Sequence, residues 1–211
     1  MDSLRFSRYA TPWNTTKCAP RPSARYVNPR THVSLHDLPA FGADGSIQVV
    51  VESPRGSSLK LKYDPQREVF TLSRPLINGL TYPYDWGFVP STQGPDGDPL
   101  DVMLLWDQSS FPGLVLSCCV IGALAVEQNN KKHPERRERN DRLFAVPNGA
   151  PRSSDIRDID DLPRRIAEEL EQFFLATAVF ENKAFTFLGW SNARDAQQLV
   201  LSAMAPSDSG Q

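Results

Sequence analysis

Three carboxylates fall within six residues in the run Asp96-Gly97-Asp98-Pro99-Leu100-Asp101. At about 6 Å separation and an effective dielectric near 20, each ionised pair repels by roughly 3 kcal/mol. A bound cation or a retained proton relieves that repulsion. Gly97 permits a tight bend, and Pro99 stiffens the approach to the residues that follow. The donors are hard oxygens with no nitrogen or sulfur ligand nearby in sequence, which suits Mg²⁺ or Mn²⁺ rather than Zn²⁺. A calcium EF-hand loop is broken by Leu100 and Asp101. Taken alone, the same acid, glycine and proline residues also make an ordinary surface turn.

The elements around this cluster read mostly as strands. Ile47 to Glu52 is a β-branched run, and Ser58 to Tyr63 and Val69 to Ser73 are shorter candidates. Thr81 to Pro99 holds Pro83, Pro90, Pro95 and Pro99, each lacking an amide donor, so it reads as a long loop. Leu100 to Trp106 and Leu114 to Val126 read as strands around a Phe111-Pro112-Gly113 turn. Glu127 to Asp141 is polar throughout and reads as a solvated hairpin tip or loop, and Arg142 to Val146 returns as a strand. Leu162, Ile166, Leu170, Phe173 and Phe174 recur at helical spacing, which predicts an amphipathic helix over Asp161 to Ala178 with Pro163 in its first turn. Phe185 to Leu188 is a further strand. Ser191 is the expected cap of a final helix ending at Met204, with Ala196, Leu199, Val200 and Ala203 as its apolar side. Strands first and helices last favour an α+β, mainly β, domain.

Bulk properties narrow the setting. A net charge of −2 over 211 residues predicts neither a nucleic-acid nor a membrane partner. The longest apolar stretch, Gly113 to Val126, has 14 residues, short of the roughly 20 needed to cross a bilayer as a helix. Cys18, Cys118 and Cys119 are odd in number and irregular in spacing, so a reducing compartment, the cytoplasm, is expected. Residues 1–33 form a basic, Pro- and Ser-rich arm carrying Arg5, Arg8, Lys17, Arg21, Arg25 and Arg30 against Asp2 alone. The arm reads as a flexible strap, and the same composition fits an organelle transit segment. One domain is expected over 34–205, with a disordered tail at 206–211.

Val51-Glu52-Ser53-Pro54, Lys60, Arg74, Tyr82-Pro83, Gly87-Phe88-Val89-Pro90 and Asp96-Gly97-Asp98-Pro99-Leu100-Asp101-Val102 occur in that order. This series resembles the soluble, family I inorganic pyrophosphatases, and a weaker likeness runs from about Leu35 to Met204. His36-Asp37-Leu38-Pro39 is similar to the family's opening segment. The resemblance implies an OB-like five-stranded barrel flanked by two C-terminal helices, and a homo-oligomer. It implies hydrolysis of pyrophosphate to two phosphates with several Mg²⁺ ions, Mn²⁺ being an alternative. By position, Asp96, Asp98 and Asp101 match metal ligands, and Glu52 matches an acid lining the metal region. Asp98 also matches the base that takes a proton from the attacking water. Lys60, Arg74 and Arg142 match cations that hold the phosphate groups, and Tyr82 matches an aromatic beneath the site.

Several positions depart from the family pattern. Lys62 stands where an acid is usual, and Trp86 stands where a tyrosine hydroxyl contacts phosphate. Asn140 takes the place of one later acidic ligand, and the other falls near Glu127 or Gln128. Thr177 and Ala178 replace a Tyr-Lys pair. These changes remove negative charge at Lys62 and Asn140 and positive charge at Ala178. They predict fewer or weaker metal ions and leave open a working pyrophosphatase, a catalytically weak homologue that binds pyrophosphate or phosphate, or hydrolysis of a larger phosphoanhydride.

Overall fold

A computed structural model describes residues 33–130, 133, 135–179 and 184–204. The basic arm apart from Val33, Cys18 and the tail at 206–211 lie outside the described residues. The strands are β1 (Ile47–Ser53), β2 (Leu59–Asp64), β3 (Val69–Pro75), β4 (Asp85–Val89) and β5 (Leu100–Leu104). They continue with β6 (Val115–Asn129), β7 (Arg137–Arg139), β8 (Arg142–Pro147) and β9 (Thr186–Asn192). Two helices follow β8, α1 (Arg164–Ala178) and α2 (Ala193–Ala203).

The hydrogen-bonded order β1-β4-β5-β8-β6 returns to β1 through pairing of β1 with β6, so five strands close a barrel. Closure leaves these strands without an open edge. β7 and β9 add to β6 beyond the ring, and β2–β3 is a separate hairpin.

The wall strands are apolar in continuous runs because they serve two cores. Successive side chains on a strand point to opposite faces. On β5, Val102 and Leu104 join one cluster with Ala196 and Val200 of α2, whereas Met103 joins a second with Leu170, Phe173 and Phe174 of α1. On β8, Leu143 and Ala145 divide from Phe144 and Val146 in the same way. On β1, Val50 instead meets Phe88 and Tyr63, a third cluster that seats the β2–β3 hairpin.

Three local expectations are corrected. Thr81 to Pro99 is not loop throughout, since Asp85–Val89 between Pro83 and Pro90 is fully buried strand. Those five residues all keep their amides, and Gly87 lets β4 press against β1. A Cβ at Gly87 would sit 2.0 Å from the Val50 carbonyl oxygen. The cap of α2 is Asn192 rather than Ser191, its side chain accepting from the Asp195 amide at 2.9 Å. Helix α1 begins at Arg164, with Pro163 at its N-cap and a one-turn 3-10 helix at Ile159–Asp161 before it. The polar run from Glu127 begins in the end of β6 and forms a hairpin arm with β7, Glu127, Gln128 and Asn129 pairing with Arg139, Glu138 and Arg137.

Candidate active site

The acidic turn is built by its own backbone. The Gly94 amide donates to the Asp98 carbonyl at 2.8 Å, and the Gly97 amide to the Gly94 carbonyl at 3.0 Å. Gly97 adopts φ +84, a left-handed conformation that L side chains strain to reach. The Asp98 amide donates to Asp96 Oδ1 at 3.2 Å, and the Leu100 amide to Thr92 Oγ1 at 3.0 Å where β5 begins.

Neighbouring strands bring the remaining groups to this turn. On β1 the register with β4 passes from Val51↔Gly87 to Ser53↔Trp86, which leaves Glu52 as an extra residue in a bulge. A bulge re-aims a side chain, and here it turns Glu52 toward the cavity. Lys60 and Lys62 are two residues apart on β2 and share a face. Arg74 on β3 lies opposite Lys60. β5 and β8 run parallel with Val102 beside Leu143, so Asp101 and Arg142, each one residue earlier, are neighbours.

Asp96, Asp98, Asp101, Glu52, Lys60, Arg74 and Arg142 all line one cavity of about 300 Å³, together with His36, Lys62 and Asn140. Those seven acids and cations, matched from sequence to metal or phosphate, therefore lie at one place. A larger groove of about 920 Å³ runs between α1 and the Leu80–Tyr84 segment, and it contains none of these groups.

Within the cavity the carboxylates are each engaged. Asp98 Oδ2 lies 2.9 Å from Lys62 Nζ. Asp101 accepts from Arg142 Nη1, and the same nitrogen donates to Asn140 Oδ1 at 2.5 Å. Asn140 Nδ2 in turn donates to Asp96 Oδ2 at 3.1 Å. Glu52 is 6 % exposed, and its Oε1 accepts from the Tyr63 amide at 2.7 Å. Burial pushes its carboxyl up to about 7, against the pull of that amide, with the nearby Asp101 charge adding to the rise. Burial lowers the pKa of His36, whose ring centroid lies 5.4 Å from that of Tyr63 and 4.9 Å from that of Phe88.

The cations rest on an aromatic shelf. Lys60 Nζ is 6.0 Å and Arg142 Cζ 5.5 Å from the Trp86 ring centroid, within range of cation–π attraction. Beneath them a narrow recess of about 30 Å³ is lined by Lys60, Arg74, Arg142, Tyr82, Trp86 and Phe173. Tyr82 packs 5.3 Å from the Phe173 centroid, and burial raises the pKa of its phenol. Trp86 Nε1 is buried and finds no hydrogen-bond partner among the described residues.

The departures noted from sequence take definite places. The Thr177 carbonyl accepts from Arg74 Nη2 at 3.3 Å, so this position aims a cation through its backbone. Ala178 is buried in α1 and offers no ligand atom from its side chain. Gln128 is fully buried and donates to Glu138 Oε1 at 3.3 Å, and neither Gln128 nor Glu127 lines the cavity. His36 and the contact between Lys62 and Asp98 are what sequence alone did not put in the site. The Lys60–Lys62 spacing on one strand face was the available signal for the latter.

A closed five-stranded barrel carrying an oxygen-rich acidic turn opposite a group of basic side chains defines a protein built to handle small polyanions. A family model for inorganic pyrophosphatase matches residues 49–207. A Synechocystis inorganic pyrophosphatase is 34% identical over 168 residues, covering 80% of this chain and 95% of that one. A Saccharolobus solfataricus inorganic pyrophosphatase is 31% identical over 175 residues, covering 82% of this chain and 98% of that one. The crystal structure of inorganic pyrophosphatase from Thermus thermophilus superposes with a TM-score of 0.74 at 31% identity, covering 81% of this chain and 97% of that one. The chain belongs to the inorganic pyrophosphatase family.

Proposed function

We propose that this cavity hydrolyses inorganic pyrophosphate to two phosphates with a divalent metal ion, Mg²⁺ or alternatively Mn²⁺. The observation that carries the reading is the convergence of four carboxylates and four cations on one cavity of about 300 Å³. The donor set consists of oxygens, which suits a hard divalent ion. Among the described residues, no three His, Cys, Asp or Glu side chains are gathered closely enough to hold an ion together. In this arrangement Asp98 lies against Lys62 and Asp101 against Arg142. Asp96, Asp98 and Asp101 are the residues that would hold such an ion, with Glu52 lining the region.

The chemistry that a divalent ion would supply there is a water acidic enough to attack phosphorus near neutral pH. The protein groups supply the rest. Asp98 takes the proton as the water oxygen bonds to phosphorus and the bridging P–O bond breaks. Lys60, Arg74 and Arg142 hold the phosphate oxygens and stabilise charge on the departing phosphate. Arg142 matches the planar fork of its guanidinium to oxygens that a lysine meets only as a point charge. The Trp86 shelf keeps Lys60 and Arg142 in place.

Phosphate release from pyrophosphate tests this reading. Turnover with Mg²⁺ and its loss in chelator are expected, whereas absence of release at every metal concentration contradicts it. A second reading, a weak homologue that binds pyrophosphate or phosphate, draws on Ala178, Thr177 and Asn140, whose side chains bring no charge. Calorimetry showing tight binding without turnover favours that reading. We further infer a cytoplasmic homo-oligomer with residues 34–205 as one domain. Light scattering of the purified chain reads the oligomeric state, and a monomer overturns that part.

A further inference from the structure

We propose that Lys62 stands in for a divalent ion in this cavity, its ammonium group shared between Asp98 and a phosphate oxygen, so that the site binds pyrophosphate in the absence of metal. The inference rests on the reading of the cavity as a pyrophosphate site and concerns which charges hold the anion there.

Lys62 is fixed in register. The amides on either side of it are anchored to β1: Leu61 donates to Ser53 Oγ at 2.9 Å and Tyr63 to Glu52 Oε1 at 2.7 Å. From that strand position the Lys62 side chain lines the cavity. Its Nζ reaches Asp98 Oδ2 at 2.9 Å, with the lysine side chain 45 % and the aspartate side chain 37 % exposed. The pair thus sits at the cavity mouth, open to an incoming anion. An ammonium group carries three donors, and Asp98 takes one of them in this pair.

The rest of the acidic turn is supplied in the same manner. Arg142 holds Asp101, and Asn140 donates to Asp96. Each aspartate of the turn therefore carries a protein donor, which relieves the roughly 3 kcal/mol of repulsion per pair that otherwise demands a metal ion. The lining balances formally, with Glu52, Asp96, Asp98 and Asp101 against Lys60, Lys62, Arg74 and Arg142. A polyanion entering this cavity meets four cationic side chains beside the four carboxylates before any ion binds.

Calorimetric titration of the full chain with pyrophosphate in chelator tests the proposal. The wild type is expected to bind, Lys62→Arg to bind comparably, and Lys62→Gln to lose affinity by about 10-fold, the scale of one charge-assisted hydrogen bond. Lys62→Glu is expected to lose metal-free binding and, in a Mn²⁺ titration followed by electron paramagnetic resonance, to hold more Mn²⁺ than the wild type. Thermal melts confirm that the variants fold. Wild-type binding only when Mg²⁺ is present overturns the role of Lys62 while leaving the pyrophosphate site intact. Equal metal-free affinity in wild type, Lys62→Gln and Lys62→Glu also overturns it. Absence of binding with and without Mg²⁺ overturns the underlying reading of the cavity instead.

Discussion

The side-chain amide of Asn140 donates to Asp96 Oδ2 at 3.1 Å. Its carbonyl oxygen accepts from the Arg142 nitrogen that also holds Asp101, so one neutral side chain ties two aspartates of the turn into a single network. Asn140→Asp exchanges that donor for a further negative charge. The Mg²⁺ concentration for half-maximal phosphate release is expected to fall by about 10-fold, since oxygen ligand charge sets affinity for hard cations. An unchanged Mg²⁺ requirement places Asn140 outside the metal region.

Arg142 is 6 % exposed and supports Asp101, whose side chain is 23 % exposed. Arg142→Ala leaves Asp101 without that partner in a poorly solvated place. We expect a stability loss of about 2 kcal/mol, reduced from the fully buried case by the exposure of Asp101. Urea unfolding reads it, and activity falls in parallel. Arg142→Lys restores charge without the fork and is expected to recover stability better than activity.

Gly87 carries the approach of β4 to β1. A Cβ there would lie 2.0 Å from a backbone oxygen that has no room to retreat. Gly87→Ala forces the two strands apart, at a cost of about 3 kcal/mol or more. The thermal midpoint is expected to drop by about 10 °C for a chain of this size. A melt that stays close to that of the wild type contradicts the packing described for β1 and β4.

Glu52 predicts a pH dependence of stability. Its folded pKa is about 7 against an ordinary 4.5, so the folded state holds its proton more tightly than the unfolded state does. The resulting stabilisation is fully present below about pH 4.5 and is lost as pH rises through about 7. The swing amounts to about 3 kcal/mol at most. Glu52→Gln keeps an oxygen for the Tyr63 amide and removes the titration. In chelator, its urea midpoint between about pH 5 and pH 8 is expected to be flatter than that of the wild type.

The fold was legible where apolar runs are long. Val49 to Val51, Val102 to Leu104 and Leu143 to Val146 are continuous because each strand divides its side chains between two cores. Asp85–Val89 was hidden because flanking prolines dominate that stretch and Gly87 has no side chain to advertise burial. The acidic turn was legible because its three aspartates are close in sequence. Their partners were not, since Arg142 reaches Asp101 across 41 residues and Asn140 reaches Asp96 across 44. Glu52 was visible as an acid, but its burial depends on a bulge that no local pattern announces. The late helix cap moved by one residue because Ser191 remains in β9, its hydroxyl donating to the Ala123 carbonyl at 3.3 Å.

Phosphate release at saturating Mg²⁺, compared between wild type and Asp98→Asn, tests the central claim most directly. The substituted amide keeps the size of the side chain and cannot accept a proton from water, so the rate is expected to fall by at least about 10²-fold with the fold intact. Equal rates in the two proteins contradict the assignment of this cavity as the place where pyrophosphate is cleaved.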